Sequence, residues 1–385
     1  MAILDARMTD YAQLALLPEG LHDELPPRAR QQADAIARLI GVFGGHGYDL
    51  VEPPLVEFEE SLLAGPGAGV ARHMCRLRDP ISPPMLGVRA DLPTQVARIA
   101  ATRLAGRPRP LRLCYAGQVL RVRGTQLRPE RQFAQAGAEL IGADCLAADA
   151  EVALLATDAA ACVGIGGLSI DLTVPSLVTG LCQAFDLEAM LAERVRQALD
   201  QKDREALAEL PTERRRAFHG LLQATGPGPT ALAVLDKLEL PAGVAPAVRR
   251  LADLVRLLGD SAPELTVTVD PAESRGFQYE SGISFTLFAK GVRGELGRGG
   301  RYALANGEMA TGFSLYLDSL MRALPEARPL LLVYVPPGTP RAELARMRAQ
   351  GWRLLAGLAP AADEAEARRL NCTHLLRHGT VVALS

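Results

Sequence analysis

Between residues 27 and 47 the apolar side chains return every three to four positions. Ala33, Ile36, Leu39, Ile40 and Phe43 share one side, and Gly44-Gly45 ends the run. That spacing predicts an amphipathic helix. Gly47 to Leu55 then reads as a strand closed by Pro53-Pro54. A second helix is expected from Asp91-Leu-Pro-Thr-Gln, with Asp91 as its cap and Pro93 in its first turn. Residues 111–121 and 132–141 alternate as strands on either side of an arginine-rich loop, and residues 187–260 form a helical insertion rich in Ala, Leu, Glu and Arg. Strands return at Leu265–Val269 and Phe277–Ala289, and Gly291 to Gly300 reads as hairpin turns. After Arg328-Pro329 the pattern becomes strand, helix, strand, helix and a hairpin around Gly379, a small α/β unit over 329–385 set apart from a core over 1–328.

The strand 132–141 carries the first chemical signal. A period of two puts Phe133, Gln135, Gly137, Glu139 and Ile141 on one face and Ala134, Ala136, Ala138 and Leu140 on the other. The pattern alone favours a half-exposed strand with its polar side outward. The other reading is a hollow over Gly137, lined by Gln135 and Glu139, for a small ligand with N–H donors. The loop that precedes it holds Arg121, Arg123, Arg128 and Arg131. Guanidinium forks pair with carboxylate or phosphate, and a solvated basic hairpin would look the same.

Composition narrows the classes. At 385 residues with 48% hydrophobic content the chain is long enough for more than one unit, and a net charge of −2 gives no global attraction to polyanions. Aromatic content of 4% also counts against a stacking surface for nucleic acid. Six cysteines occur without a CxxC pair, so neither a zinc site nor a disulfide framework is suggested. No apolar stretch of transmembrane length appears, and Asp5, Arg7 and Asp10 sit where a signal peptide would be apolar. A cytoplasmic protein with no metal and no cofactor is expected.

Segment order carries more than any one segment. Gly47-Tyr48-x3-Glu52-Pro53-Pro54 resembles motif 1 of class II aminoacyl-tRNA synthetases. Tyr115-x-Gly-x3-Arg121, with Arg131-Gln-Phe133-x-Gln135-x-Gly137-x-Glu139, resembles motif 2 of histidyl-tRNA synthetases. Arg275-Gly-Phe-Gln-Tyr279 resembles their histidine-specific segment, and Gly299-Gly-Arg-Tyr302 with Ala310-Thr-Gly-Phe-Ser314 resembles the approach to motif 3. The resemblance implies an α+β fold: an antiparallel sheet flanked by helices, the helical insertion, and the small C-terminal α/β domain. Because motif 1 lies at a dimer interface in that class, it also implies a homodimer core.

The departures separate the candidate functions. Arg123 stands where the synthetases face adenine with a glutamate, Tyr316 stands at a glycine position, and Ser319 replaces the arginine that clamps ATP. Arg322 lies nearly a turn further on and is not expected to substitute. By contrast Asp91, Arg121, Gln135, Glu139, Arg275 and Tyr279 match the amino-acid half of the pocket. The resemblance gives Arg121 the α-carboxylate, Asp91 the α-ammonium with Gln135 helping, and Glu139 an imidazole N–H. A core that keeps this half and loses the other is similar to the regulatory subunits of ATP phosphoribosyltransferase. These subunits are not enzymes themselves, and they act with a short-form catalytic subunit at the first step of histidine biosynthesis. The expected partners are that subunit, a second copy of the chain, and histidine, with no tRNA. An active histidyl-tRNA synthetase and a synthetase-derived RNA-binding scaffold are the alternatives.

Overall fold

The computed structural model describes residues 15–64, 69, 71–81, 83–125, 128–273, 280–325, 331–358 and 364–384. The chain divides into two compact units, one of residues 1–23 and 32–325 and one of residues 24–31 and 326–385. The boundary expected after residue 328 lies outside the described residues.

In the first unit the strands are β1 (Asp49–Leu50), β2 (Val56–Phe58), β3 (Cys75–Arg78), β4 (Met85–Val88), β5 (Leu111–Leu120), β6 (Gln132–Ile141), β7 (Leu168–Thr173), β8 (Gly226–Pro227), β9 (Thr266–Val269), β10 (Glu280–Ala289), β11 (Gly297–Ala303) and β12 (Met309–Tyr316). Nine of them form one sheet in the order β1-β5-β6-β12-β11-β10-β7-β9-β8, while β2-β4-β3 form a small sheet of their own. The pairs β1–β5 and β7–β9 are parallel, and the other pairs of the large sheet are antiparallel.

Strand β6 divides two cores, as its alternation requires. Ala134, Ala136, Ala138 and Leu140 join the larger cluster, whereas Phe133 and Ile141 join a second one with Tyr115, Tyr302 and Tyr316. The large cluster is built on small residues. The helix Leu146–Cys162 buries Ala148, Ala150, Ala153, Ala156, Ala159 and Ala160, and it packs against β6, β10, β11 and β12. Alanine on both surfaces lets helix and sheet approach closely at native packing density. The insertion is not a separate body, because Leu199, Phe218, Leu221 and Leu258 from its helices enter the same cluster. Its residues Gly226–Pro227 also extend the sheet against β9.

Several expectations are corrected. Residues 47–55 give only two residues of strand, since the prolines remove N–H donors that a ladder needs. The helix at Pro93–Ala101 is capped by Leu92, not Asp91; the Asp91 carboxylate accepts the Leu92 N–H instead. Gly297, Gly299 and Gly300 are strand residues of β11, and only Gly291 and Gly294 take the positive φ of a turn. The half-exposed reading of residues 132–141 fails as well: beyond Gln132 every residue of β6 is buried.

In the second unit, β13 (Leu332–Val335) lies between β14 (Arg353–Ala356) and β15 (His374–Arg377), parallel to both, and β16 (Thr380–Ala383) closes the edge. Val333 and Val335 pack on one face and Tyr334 on the other. A central parallel strand covered on both sides reads as a continuous apolar run for this reason.

Candidate functional site

A cavity of about 640 Å³ opens where β6, β11 and β12 meet the arginine loop and residues 72–73. Its inner end is built around Glu139, which is 1% exposed. Tyr302 donates its hydroxyl to one carboxylate oxygen at 2.8 Å, and Tyr115 donates to the other at 3.2 Å. Glu139 forms no ion pair with any described cation. Burial therefore raises its pKa from 4.5 to about 8, and the nearby Asp91 adds to the rise while the two hydroxyls oppose it. A carboxyl with that pKa keeps its proton at neutral pH. Gly312 makes this placement feasible, because any Cβ there would overlap the Glu139 carboxylate.

Asp91 and Arg121 stand nearby. Asp91 is buried, which raises its pKa, and Arg121 pulls it back down. Arg121 packs its guanidinium 5.1 Å from the Phe133 ring centroid and donates weakly to the Ala90 carbonyl at 3.4 Å. Gln135 is fully buried beside Asp91 but does not line the cavity. Its Oε1 shares the Leu92 N–H with Asp91, and its Nε2 has no hydrogen-bond partner among the described residues. Of the six expected histidine residues, Asp91, Arg121 and Glu139 thus line one cavity and Gln135 supports it. Arg275 and Tyr279 lie outside the described residues.

The hollow expected over Gly137 is absent. Tyr115 fills it, and any side chain at 137 would strike the Tyr115 hydroxyl and the Phe313 carbonyl. Tyr115 and Tyr302 were visible in the sequence only as motif markers. Their shared role, holding an uncharged Glu139, needs the pairing of β5 and β6 and the folding of β11 alongside.

The outer end has a different construction. The Tyr316 ring is buried under the Arg128 guanidinium, 3.7 Å from its centroid, and meets Phe133 edge-on at 6.0 Å. Arg128 is fixed by Asp318 at 3.2 Å and Glu295 at 3.4 Å. Arg322 reaches this wall but is already engaged. It donates to Ser319 Oγ at 2.9 Å and pairs with Asp318 at 3.3 Å and Glu130 at 3.6 Å. A nucleotide would find a ring and a stacked guanidinium in its space, and no uncommitted cation at position 319.

A model of the histidyl-tRNA synthetase family matches residues 20–320. The ATP phosphoribosyltransferase regulatory subunit of Rhodospirillum centenum is 52% identical over 370 residues, 96% of each chain. The chain belongs to the ATP phosphoribosyltransferase regulatory subunit family. As such it is a non-catalytic paralogue of histidyl-tRNA synthetase. A crystal structure from Bacillus halodurans, described as an ATP phosphoribosyltransferase regulatory subunit/histidyl-tRNA synthetase, superposes with a TM-score of 0.79 at 25% identity, covering 94% of this chain and 97% of that one. The fold also matches a chain of the ATP phosphoribosyl transferase (HisG:HisZ) complex from Thermotoga maritima, with a TM-score of 0.59 at 18% identity over 74% of this chain and 97% of that one.

Proposed function

We propose that this regulatory subunit senses histidine in the inner end of the cavity and transmits its occupancy to a short-form catalytic subunit of ATP phosphoribosyltransferase. The observation that carries the reading is the convergence of Asp91, Arg121 and Glu139 on one enclosed space. Asp91 and Arg121 complement the two charges of an amino-acid zwitterion, ammonium to carboxylate and carboxylate to guanidinium. Glu139 and an imidazole nitrogen then share one proton, an exchange that a buried carboxyl with a pKa of about 8 can make in either direction near neutral pH. Gln135, with its unpaired amide, and Arg275 and Tyr279 from the histidine-specific segment complete the proposed set.

The chemistry itself is assigned to the partner, as the Thermotoga maritima complex suggests by analogy. A homodimer is proposed through the motif 1 side, where Phe58, Leu86 and Leu77 lie in register across β2, β4 and β3 and leave Phe58 and Leu77 exposed. Neither tRNA nor membrane enters the proposed role. A cytoplasmic location accords with six free thiols.

The test is co-expression with the short catalytic subunit, sizing of the complex, and histidine titration of its activity. Allosteric coupling is typically about 1–3 kcal/mol, so histidine should lower activity roughly fivefold to 150-fold. Arg121→Ala should blunt that inhibition and leave assembly intact. A mutant complex that stays fully histidine-sensitive would move control to another site.

A further inference from the structure

Charge accounting around the cavity leaves a remainder. Three of its arginines are satisfied internally: Arg128 by Glu295 and Asp318, Arg298 by Glu295, and Arg322 by Glu130 and Asp318. Arg121 faces Asp91 and is assigned above to the ligand's carboxylate. Arg72 and Arg123 remain. Both are exposed, both line the mouth of the cavity, and neither pairs with any described carboxylate.

Their positions are fixed by the backbone. Met74 and Arg121 form an antiparallel bridge, and Val122 donates its N–H to the His73 carbonyl at 2.9 Å. Arg72 and Arg123 each lie two residues from that bridge, and both line the same cavity. His73 lies between the arginines, and burial together with Arg121 and Arg72 keeps its pKa below the usual value, so it adds no further charge at neutral pH. Two guanidinium groups that line one cavity and pair with no described carboxylate suit a compact anion with several oxygens. Histidine brings one carboxylate, already assigned to Arg121, and a single amino acid fills only a fraction of 640 Å³.

We propose that the rim formed by Arg72 and Arg123 is a second ligand site, for small phosphate-bearing molecules, adjacent to and separate from the histidine end of the same cavity. This rests on the reading of the inner end given above only for the claim that the two ligands bind together. The phosphate has several sources: inorganic phosphate, pyrophosphate, or a sugar phosphate. The blocked outer wall disfavours a nucleotide, whose ring would need the space held by Tyr316 and Arg128.

The experiment is calorimetry on the purified full chain at constant ionic strength, titrating inorganic pyrophosphate, inorganic phosphate, ribose 5-phosphate and AMP in turn. Each titration is run with and without saturating histidine. Saturable binding of pyrophosphate, one per chain, is expected with histidine present. Arg72→Gln and Arg123→Gln should each weaken it roughly tenfold or more, while histidine affinity changes less than about threefold. Thermal melts establish that both variants are folded. Tighter binding of ribose 5-phosphate than of phosphate would identify a sugar phosphate as the natural source. Absence of saturable binding to any of the four, or binding that both variants retain in full, overturns the proposal. So does AMP binding that is lost on mutation of Arg128 but not of Arg72 or Arg123. Histidine binding without pyrophosphate binding removes the second site and leaves the sensing role intact; pyrophosphate binding without histidine binding does the reverse.

Discussion

Two buried carboxylates sit on opposite faces of the same sheet, and they are treated in opposite ways. Asp149, 3% exposed, lies on the helix side and is fully compensated. Arg301, also 3% exposed, reaches it at 2.6 Å, Arg250 from the insertion at 2.8 Å, and Thr311 at 3.3 Å. Arg301 also donates to the Ala143 and Cys145 carbonyls. Glu139, on the cavity side, receives two hydroxyls and, among the described residues, no cation. The residues that serve the two acids are neighbours on β11, since Arg301 points to one face and Tyr302 to the other. Asp149 is given its counter-charge, whereas Glu139 is left to keep its proton. Pairing state, more than burial, separates the two acids.

That contrast can be broken most forcefully at Asp149. Asp149→Ala leaves the buried Arg301 with only the exposed Asp144, at 3.1 Å, and removing one member of a buried pair typically costs about 3–5 kcal/mol. Urea unfolding should show the midpoint falling accordingly, and a loss under about 1 kcal/mol would mean that water or another acid replaces Asp149.

The second test compares pH dependence. Glu139 holds its proton more tightly in the folded chain than in the unfolded one, so folding takes up a proton between pH 4.5 and about 8. Its contribution is therefore complete below about 4.5 and declines as the pH rises to about 8, by about 1.4 kcal/mol per pH unit inside that window. Glu139→Gln cannot ionise and should lack this slope. Parallel stability–pH curves for the two proteins would show that Glu139 is already ionised in the native chain. The smallest effect belongs to Arg250→Ala. Arg250 is partly exposed and Asp149 keeps Arg301, so a loss of only about 1 kcal/mol is expected in the same urea assay.

Much of this arrangement could be read before any coordinates. The period of two in residues 132–141 sorted Glu139 from its alanine neighbours, and the order of motif segments brought Arg121 and Glu139 to one cavity. The burial of the polar face was not legible, because side chains packed on that side, such as Leu92 and Tyr316, come from segments remote in sequence. The role of Asp149 was not legible either. An acid in an alanine-rich helix looks like a solubilising residue until Arg301 is brought beside it. Nor could helix spacing alone show that Arg322 bends back to Ser319, since the direction of a long side chain depends on the carboxylates around it. Pattern gives faces and order, whereas pairing between distant segments decides which polar groups are neutralised.

The Tyr316–Arg128 stack also acts as a historical lock. Once a ring occupied that position, the guanidinium could settle over it and be fastened by Asp318 and Glu295. Restoring glycine at 316 would remove the ring but leave an anchored arginine across the opening, and restoring arginine at 319 would crowd the Arg322 that now donates to Ser319. Neither step alone regains a nucleotide pocket. A chain with this constellation has no single-substitution route to an open nucleotide pocket.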